Sequence, residues 1–538
     1  MQRYIVQNIK LPFEASKDVV LAQAKRRLLK FFAKKDIVRA EIAKRSVDAR
    51  KKNDIKFVWS VWAEIASDEK LDASRLAAEG IALSKSAALE IKHGDESLSG
   101  RPLIVGFGPC GMFCALILAR NGYRPIVIER GADVNKRASD VETFMKTGKL
   151  DAESNVQFGA GGAGTFSDGK LVTRINDPKC SLVIDEMHRH GAPDDVLFLS
   201  KPHVGTDVLK SVVASMHDEI TSLGGEIHYN TRFDGFISRG SKIVGVRTSR
   251  GDIGCGAVVI AVGHSARDTF DVFDKSGLSL TPKAFSVGVR IEHLQKDIDA
   301  ALYGDHAGDP RLPKGEYTLS HKCGDGRGVY SFCMCPGGEV VAATSEEGSV
   351  VTNGMSRHAR DGVNANSAIA VSVLPDDFGG SVRGAVEFQR KIERAAFVRA
   401  GKTYAAPAQT VGDFLSETHG SPFTDVFPTY MNGNVAVADF DGIFPTFVTD
   451  SLKEGLTSFD RAISGFAKSS AVLTAPETRT SSPVRILRGE GFVAEGFDNV
   501  YPCGEGAGYA GGITSAGVDG INCALKIIER YAPAILKS

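Results

Sequence analysis

The stretch Val105-Gly106-Phe107-Gly108-Pro109-Cys110-Gly111 stands between an apolar run and a helical pattern, and a second apolar run follows and ends at Glu129. Strand, glycine turn, helix, strand and acid in this order are typical of a dinucleotide site. Gly106 permits a tight turn, Gly108 lets the backbone approach a pyrophosphate, and Gly111 lets the helix pack closely on the strand. The alternative is a glycine turn at an ordinary strand–helix junction.

Two further features of this unit suit a nucleotide. Glu129 lies 23 positions after Gly106, where a carboxylate can accept hydrogen bonds from both hydroxyls of an adenosine ribose. The helix begins with Pro109 and Cys110, and its N-terminal amide groups would face the phosphates. We therefore expect Glu129 and the first turn of this helix to bind the adenosine half of a cofactor.

A second glycine-rich loop follows, with four glycines between positions 159 and 164. Such backbone passes close to something flat or charged, and a second loop of this kind after the first strand–helix–strand unit is expected of a flavin site. A disordered linker is the alternative, but it fits badly because Phe158 and Phe166 should be buried. The residues expected to contact FAD here are Gly161, Gly162, Gly164, Thr165, Ser167 and Asp168.

The far end of the chain supplies the remaining part of the predicted site. A strand ends at Gly504-Glu505, and a final helix opens near Ile513. Glu505 is placed to bind ribityl hydroxyls, and the helix N-terminus can face the flavin pyrimidine carbonyl and stabilise the reduced ring. Further backbone contacts are expected at Gly263, Gly511 and Gly512.

The composition bounds the class of protein. The 538 residues are 43% hydrophobic and 24% charged with no net charge, which predicts two or three globular domains without a general affinity for polyanions. No apolar run approaches the roughly 18 residues of a membrane span, and the N-terminus lacks the apolar region of a signal peptide. The nine cysteines show no disulfide-scaffold spacing, so we expect a reducing, cytoplasmic compartment.

Residues 1–98 are predicted to form a basic α+β module and a linker over 66–99. Over residues 1–70, 17 Lys and Arg face nine Asp and Glu, a net charge of +8. Such a module could bind RNA. A solvated, lysine-rich face is favoured, because no aromatic stacking motif interleaves the basic residues.

The remaining chain is predicted to fold as an FAD-binding domain in two parts, 99–283 and 446–538, around a substrate or cap domain at 284–445. Residues 226–248 are expected to form a three-stranded meander. Within the cap, Cys333 and Cys335 alternate on a strand and should share one face. They are packed thiols, a redox pair near the flavin, or part of a metal site with Cys323. The first is favoured, no metal is expected, and the absence of a CxxxxC motif argues against redox.

Candidate catalytic side chains are Arg290, His264, Cys333, Cys335 and Arg479, and His293 and His358 are further candidates. A structural role is favoured for each, because flavin itself carries out hydride chemistry and a catalytic base is optional. A single GxGxxG unit argues against a second nucleotide-binding domain. A nicotinamide donor, NAD(P)H, would therefore visit transiently.

The glycine turn with Glu129-Arg130, the second glycine loop and Gly504-Glu505 resemble the glutathione-reductase-type FAD fold. More narrowly, the segments at 162–170, 330–338 and 477–483 resemble a bacterial family of uncharacterised NAD(FAD)-utilising dehydrogenases. The resemblance implies an α/β protein with a Rossmann-like, three-layer ββα FAD domain and an inserted α+β domain. It also implies that Arg130 contributes to FAD binding, and that the protein transfers hydride to or from an organic small-molecule substrate. An RNA-associated flavoprotein and a non-catalytic flavin-binding regulator are the alternatives. The oligomeric state stays open.

Overall fold

The computed structural model describes residues 1–67, 71–84, 89 and 91–533, so the linker predicted over 66–99 lies partly outside the described residues. The N-terminal elements are β1 (Gln2–Pro12), α1 (Lys17–Leu28), β2 (Ile37–Asp48), β3 (Lys56–Ile65), α2 (Ala73–Ala78) and β4 (Ile81–Leu83). The strands form an antiparallel sheet in the order β2-β3-β1-β4. Helix α1 buries Val20, Ala24 and Leu28 against it.

The next elements belong to the predicted nucleotide-binding unit. They are β5 (Glu96–Ser97), β6 (Pro102–Val105), α3 (Pro109–Arg120), β7 (Ile126–Ile128), α4 (Val134–Thr147), α5 (Lys179–Arg189), α6 (Thr206–Ser222), β8 (Glu226–His228), β9 (Phe233–Arg239), β10 (Lys242–Thr248), β11 (Gly251–Gly254), β12 (Ala257–Ile260), α7 (Arg267–Lys275) and β13 (Leu280–Pro282).

The chain then builds a second sheet and returns to the first. The elements of the second sheet and its helices are β14 (Phe285–Leu294), α8 (Gln295–Tyr303), β15 (Ser320–Lys322), β16 (Gly328–Cys335), β17 (Gly338–Ala342), β18 (Thr352–Ser356), β19 (Asn364–Val373), α9 (Val382–Arg399), β20 (Ala406–Thr410), α10 (Val411–Ser416), β21 (Val435–Val437), α11 (Thr446–Ala462) and β22 (Val472–Glu477). The returning segment contains β23 (Val484–Ile486), β24 (Val500–Pro502), α12 (Ile513–Arg530) and β25 (Tyr531–Ala532).

A five-stranded parallel sheet, in the order β24-β12-β6-β7-β8, lies at the centre of the nucleotide-binding unit. Alternate side chains of its strands enter two different cores. Ile104, Val127 and Val259 pack with the helices, whereas Leu103 and Val258 pack with the meander on the other face. Because neighbouring residues of a strand point to opposite faces, these apolar runs produce three layers.

The meander differs from the one predicted. It consists of β9, β10 and β11, whereas Glu226–His228 pairs with β7 as the edge strand of the parallel sheet. Three short polar strands look alike in sequence, and only pairing across the fold distinguishes them.

Helices α3 and α12 cross very closely on the helical face of the sheet. A Cβ at Gly520 would stand 2.1 Å from the Cys110 carbonyl oxygen, so only glycine fits there. Both helices start at the carboxyl end of a parallel strand, and their N-termini therefore lie at the same edge of the sheet. This edge is where α/β sheets bind ligands.

The cap is built on a seven-stranded sheet in the order β15-β16-β19-β14-β22-β20-β21. Strand β22 pairs with β14 and β20, and helix α11 packs its buried face in the same core. The cap sheet therefore continues past residue 445, where the sequence predicts a return to the FAD-binding domain. The short run Val472–Glu477 carries no chemical motif that would assign it to either sheet.

No described helix is long and apolar enough to cross a membrane.

We predict that Asn499 fastens the meander to the parallel sheet. Its fully buried side chain accepts a hydrogen bond from the Ile243 amide at 2.8 Å and donates to the Ile243 and Gly256 carbonyls at 2.8 and 2.7 Å. Asn499→Ala leaves three buried backbone groups unpaired and should lower the free energy of unfolding by roughly 3 kcal/mol. Urea denaturation measures this, and Asn53→Ala, at an exposed turn, should change little. Equal stability of the two variants would contradict the assignment.

Candidate functional site

The turn between β6 and α3 contains two glycines that the protein's own packing requires. Gly106 has a φ of +104°, and a Cβ there would stand 2.4 Å from the Ala261 carbonyl oxygen. A Cβ at Gly111 would stand 2.0 Å from the Gly106 carbonyl oxygen. These two positions close the turn and seat the helix on the strand, as the sequence predicts.

Gly108 is different, because nothing in the described chain demands glycine there. Its φ is −79°, which any residue adopts. A Cβ would find only the Gly162 Cα within 4 Å, at 3.7 Å. Gly108 also caps α3, so the amide groups of Cys110 and Gly111 have no acceptor within the helix. The combination of free amide groups and open space fits a phosphate.

Glu129 holds the two glycine loops together. Its buried carboxylate accepts hydrogen bonds from the amides of Phe107, Gly131 and Gly159, each at 2.9 Å. The carboxylate therefore ties three separate segments at the edge of the sheet. Its predicted bond to a ribose stays a prediction.

The second glycine loop lies directly against the first. The Gly161 amide donates to the Phe107 carbonyl at 2.8 Å, and a Cβ at Gly162 would stand 2.9 Å from the Gly108 Cα. At its other end, a Cβ at Gly164 would stand 3.3 Å from Ile513. The loop thus bridges the N-termini of α3 and α12.

Arg137 on α4 organises this loop, and sequence reasoning missed it. Its fully buried guanidinium donates to five backbone carbonyls, those of Asn155, Val156, Gly159, Ala160 and Gly162. Burial lowers the pKa of Arg137 to about 10, so the side chain stays charged at neutral pH. A signal was present, because Arg137 falls in register with Val141 and Phe144 on the buried face of α4.

The polar side chains expected to reach FAD from this loop bind protein groups instead. Thr165 donates to the Ala160 carbonyl and Ser167 to the Gly164 carbonyl. Asp168 is buried and pairs with Arg360 of the cap at 2.6 Å. Arg130 lies over the Phe158 ring at 4.1 Å and pairs with Asp268 and Glu153. Contacts from these four residues to FAD stay predictions.

The C-terminal segment reaches the same edge of the sheet. A Cβ at Gly504 would stand 2.7 Å from Cys110, whereas one at Gly263, Gly511 or Gly512 would meet nothing within 4 Å. Burial raises the pKa of Glu505 to about 7, although the Gly512 amide binds its carboxylate. The open glycines and a carboxyl group therefore surround the N-terminus of α12.

Of the catalytic candidates, the two arginines are held in buried ion pairs. Arg479 binds Glu393, and Arg290 binds Glu477 and Asn366. His264 lies 4.0 Å from Glu505, and burial together with Arg479 and Arg267 lowers its pKa to about 3.

The two further histidines are also held by protein groups. His293 binds the Phe466 carbonyl at 2.7 Å, and His358 stacks on His203. Neither contact brings the side chain to the glycine loops.

Cys333 and Cys335 do not follow simple strand alternation. Cys333 has a φ of +45°, and the pairing of β16 with β19 is interrupted between Phe332 and Cys335. Simple alternation is therefore the wrong basis for a shared face, although the Cys335 thiol still contacts Cys333 and donates to its carbonyl at 3.2 Å. Cys323 lies elsewhere, beside Glu454 and His321, and among the described residues it forms no ligand group with this pair.

The comparisons with known proteins agree on the cofactor. Residues 284–480 match a family described as FAD-dependent protein, C-terminal domain-like, and residues 1–64 match a domain of unknown function. An uncharacterised protein of Clostridium beijerinckii is 49% identical over 490 residues, covering 90% of this chain and 91% of that protein. The chain belongs to the same family as this clostridial protein, and its residues 284–480 assign it FAD as the cofactor. RNA binding by the N-terminal module stays a prediction.

Solved structures give a much weaker likeness. Glycine oxidase from Geobacillus kaustophilus has a TM-score of 0.36 and 11% identity, covering 83% of this chain and 98% of the oxidase. L-amino acid deaminase from Proteus myxofaciens has a TM-score of 0.35 and 10% identity, covering 84% and 95%. Scores this low define neither a substrate nor a detailed fold, and the glutathione-reductase-type fold stays a prediction.

We predict that Gly108→Val abolishes FAD binding, because the new side chain fills the space beside the free amide groups of α3. The retained FAD should fall at least about tenfold, measured as flavin absorbance per protein after desalting. Gly324→Val, at an exposed turn with no neighbour within 4 Å, is the matched control and should keep its FAD. Stoichiometric FAD in the Gly108 variant would show that the phosphate turn is misplaced.

We also predict that Arg137→Met loosens the second glycine loop, since five carbonyls lose their donor. FAD affinity should fall about tenfold or more, with a lower melting temperature. Arg137→Lys keeps the charge but not the fork of donors, so its affinity should be intermediate. Arg239→Met, on an exposed strand end, controls for loss of charge. Unchanged FAD affinity in Arg137→Met would contradict this role.

Proposed function

We propose that the protein is an FAD-dependent oxidoreductase that transfers hydride between flavin and an organic small molecule. The observation that carries the proposal is the convergence of the β6–α3 turn, the second glycine loop and the start of α12 at one edge of the parallel sheet. Gly108 and Gly511 are glycines there without an internal packing reason. Backbone left open in this way is expected where a cofactor lies against it.

The chain's groups divide the cofactor between them. The first turn of α3 would bind the pyrophosphate, and Glu129 would bind the ribose. Glu505 would bind the ribityl hydroxyls, and the N-terminus of α12 would face the pyrimidine edge of the ring. When bound, FAD supplies the two-electron chemistry. The protein's task is then to orient substrate and to exclude water.

The position of the cap supports this assignment, because cap residues contact the segment that follows the second glycine loop. Asp168 follows that loop, and it accepts hydrogen bonds from Arg360 and Ser356 of the cap. Lys170, two residues on, bonds to the Met334 carbonyl on β16. Substrate would bind between the cap sheet and the ring, as ligands do where domains meet.

The number of parallel sheets bears on how a nicotinamide electron donor would bind. The described residues form one parallel five-stranded sheet, which the FAD would occupy. A nicotinamide donor, if one is used, would therefore bind transiently at the ring.

We expect the purified protein to carry flavin absorbance, and acid should release FAD rather than FMN, because Glu129 and the α3 turn serve the adenosine half. Chromatography of the released flavin measures this. Reduction of the bound flavin under anaerobic conditions, followed by reoxidation with an artificial acceptor, tests for turnover. A protein that neither contains nor takes up FAD would refute the proposal, and one that binds FAD without turnover would act as a regulator instead.

A further inference from the structure

Cys333 occupies an unusual backbone position. Its φ of +45° lies in the left-handed region, which costs free energy for a residue with a side chain and is found mostly at functional sites. The bulge that holds it interrupts an otherwise regular antiparallel ladder between β16 and β19. Cys333 is half-buried, whereas Cys335 is fully buried. Cys333 is therefore the more exposed residue of the pair.

Two cationic side chains donate hydrogen bonds to backbone carbonyls of the bulge. The Arg290 guanidinium donates to the Cys333 carbonyl at 2.8 Å and lies 3.8 Å from the Cys335 sulfur. The Lys170 ammonium donates to the Met334 carbonyl between the two cysteines. Arg290 is fully buried, and its charge is offset by Glu477 at 3.3 Å. The pair thus lies beside two cations, each of which also binds a carboxylate, Glu477 for Arg290 and Asp168 for Lys170.

This setting separates the two thiols in acidity. Contact with Cys335, followed by the charges of Arg290 and Lys170, outweighs burial and the Asp168 carboxylate and lowers the pKa of Cys333. Contact with Cys333 and burial raise the pKa of Cys335. One thiolate beside one thiol is the form in which dithiols exchange with disulfides.

The bulge also contacts the chain just after the second glycine loop. Lys170 belongs to the segment that follows the second glycine loop, so its bond to Met334 joins the bulge to that loop. A negative charge on Cys333 raises the pKa of Glu505, the carboxyl group that precedes α12. The bulge is therefore joined by contact to the part of the chain that is predicted to bind the flavin.

We propose that Cys333 and Cys335 are a redox pair that exchanges two electrons with FAD, and that the substrate is a dithiol or a disulfide. The inference rests on the proposed function and names its substrate class. The sequence has no CxxxxC motif on a helix. In this protein the bulge would instead hold the two cysteines of the redox pair.

The step is balanced without another reagent. A bond forms between the two sulfurs, the S–H bond of Cys335 breaks, and two electrons with that proton pass to oxidised FAD, which becomes reduced with one negative charge. A substrate dithiol then restores the pair by thiol–disulfide exchange, and each step runs in reverse for a substrate disulfide.

Cysteine labelling tests the thiolate with an internal control. Cys180 is also half-buried, but burial raises its pKa. In the FAD-loaded protein at pH 6, Cys333 should react with iodoacetamide about tenfold faster than Cys180, after allowing for the lower nucleophilicity of an acidic thiolate. The Cys333 rate should level off at a lower pH than the Cys180 rate, because the pKa of Cys333 is lowered and that of Cys180 is raised. Peptide mass spectrometry reads both, and equal rates would overturn the inference.

Anaerobic reduction of the bound flavin by dithiothreitol tests electron transfer. The wild type and Cys180→Ser should be reduced at the same rate, and Cys333→Ser and Cys335→Ser at least about tenfold more slowly. All four proteins should hold stoichiometric FAD and be bleached by dithionite, and mild oxidation of the wild type should remove two hydrogens from the 333–335 peptide. Wild-type reduction rates in both active-pair variants would overturn the inference while leaving FAD binding and the proposed function intact. Absence of FAD would instead overturn the proposed function, and the inference with it.

Discussion

The site depends on one carboxylate that is shared by three backbone segments. Glu129 ends the second parallel strand and accepts hydrogen bonds from the phosphate turn, from its own loop and from the second glycine loop. Bonds from backbone amides to a buried carboxylate are strong, and no side chain needs to move to make them. Arg137 donates hydrogen bonds to carbonyl groups of the same loop. Backbone amides and backbone carbonyls of the loop are therefore both hydrogen-bonded. The loop is therefore rigid where a cofactor would touch it.

A second set of charges joins the two domains. Arg267 at the start of α7 and Arg479 after β22 both bind Glu393 of the cap helix α9, and Arg267 and Glu393 are fully buried. Burial alone would raise the pKa of Glu393, but the two guanidiniums outweigh it and lower the pKa to about 2. Removing one partner of such a group leaves an uncompensated buried charge. The cap is thus held at a fixed position over the sheet.

Local patterns in the sequence predict much of this architecture. The glycine turn, the second loop and the start of α12 at Ile513 are fixed by turn chemistry and by apolar periodicity, which act over a few residues. The roles of Arg137 and Asp168 depend on partners in other elements, and those cannot be read from spacing. The bulge at Cys333 and the placement of β8 depend on register across a sheet, which only the folded chain sets. The sequence therefore predicts the glycine loops and the helix starts better than the side chains that support them.

The order of strands in the central sheet has a consequence for biosynthesis. Strand β24 pairs beside β12, although about 240 residues that include the whole cap separate them along the chain. Pairing between segments so distant is slow, because loop closure must precede the contacts that reward it. During translation β12 leaves the ribosome with an open, apolar edge, and the cap must form before β24 arrives to cover it. The nascent chain therefore passes through a stage at which this edge is exposed to aggregation, and it becomes able to hold its cofactor only at the end of synthesis.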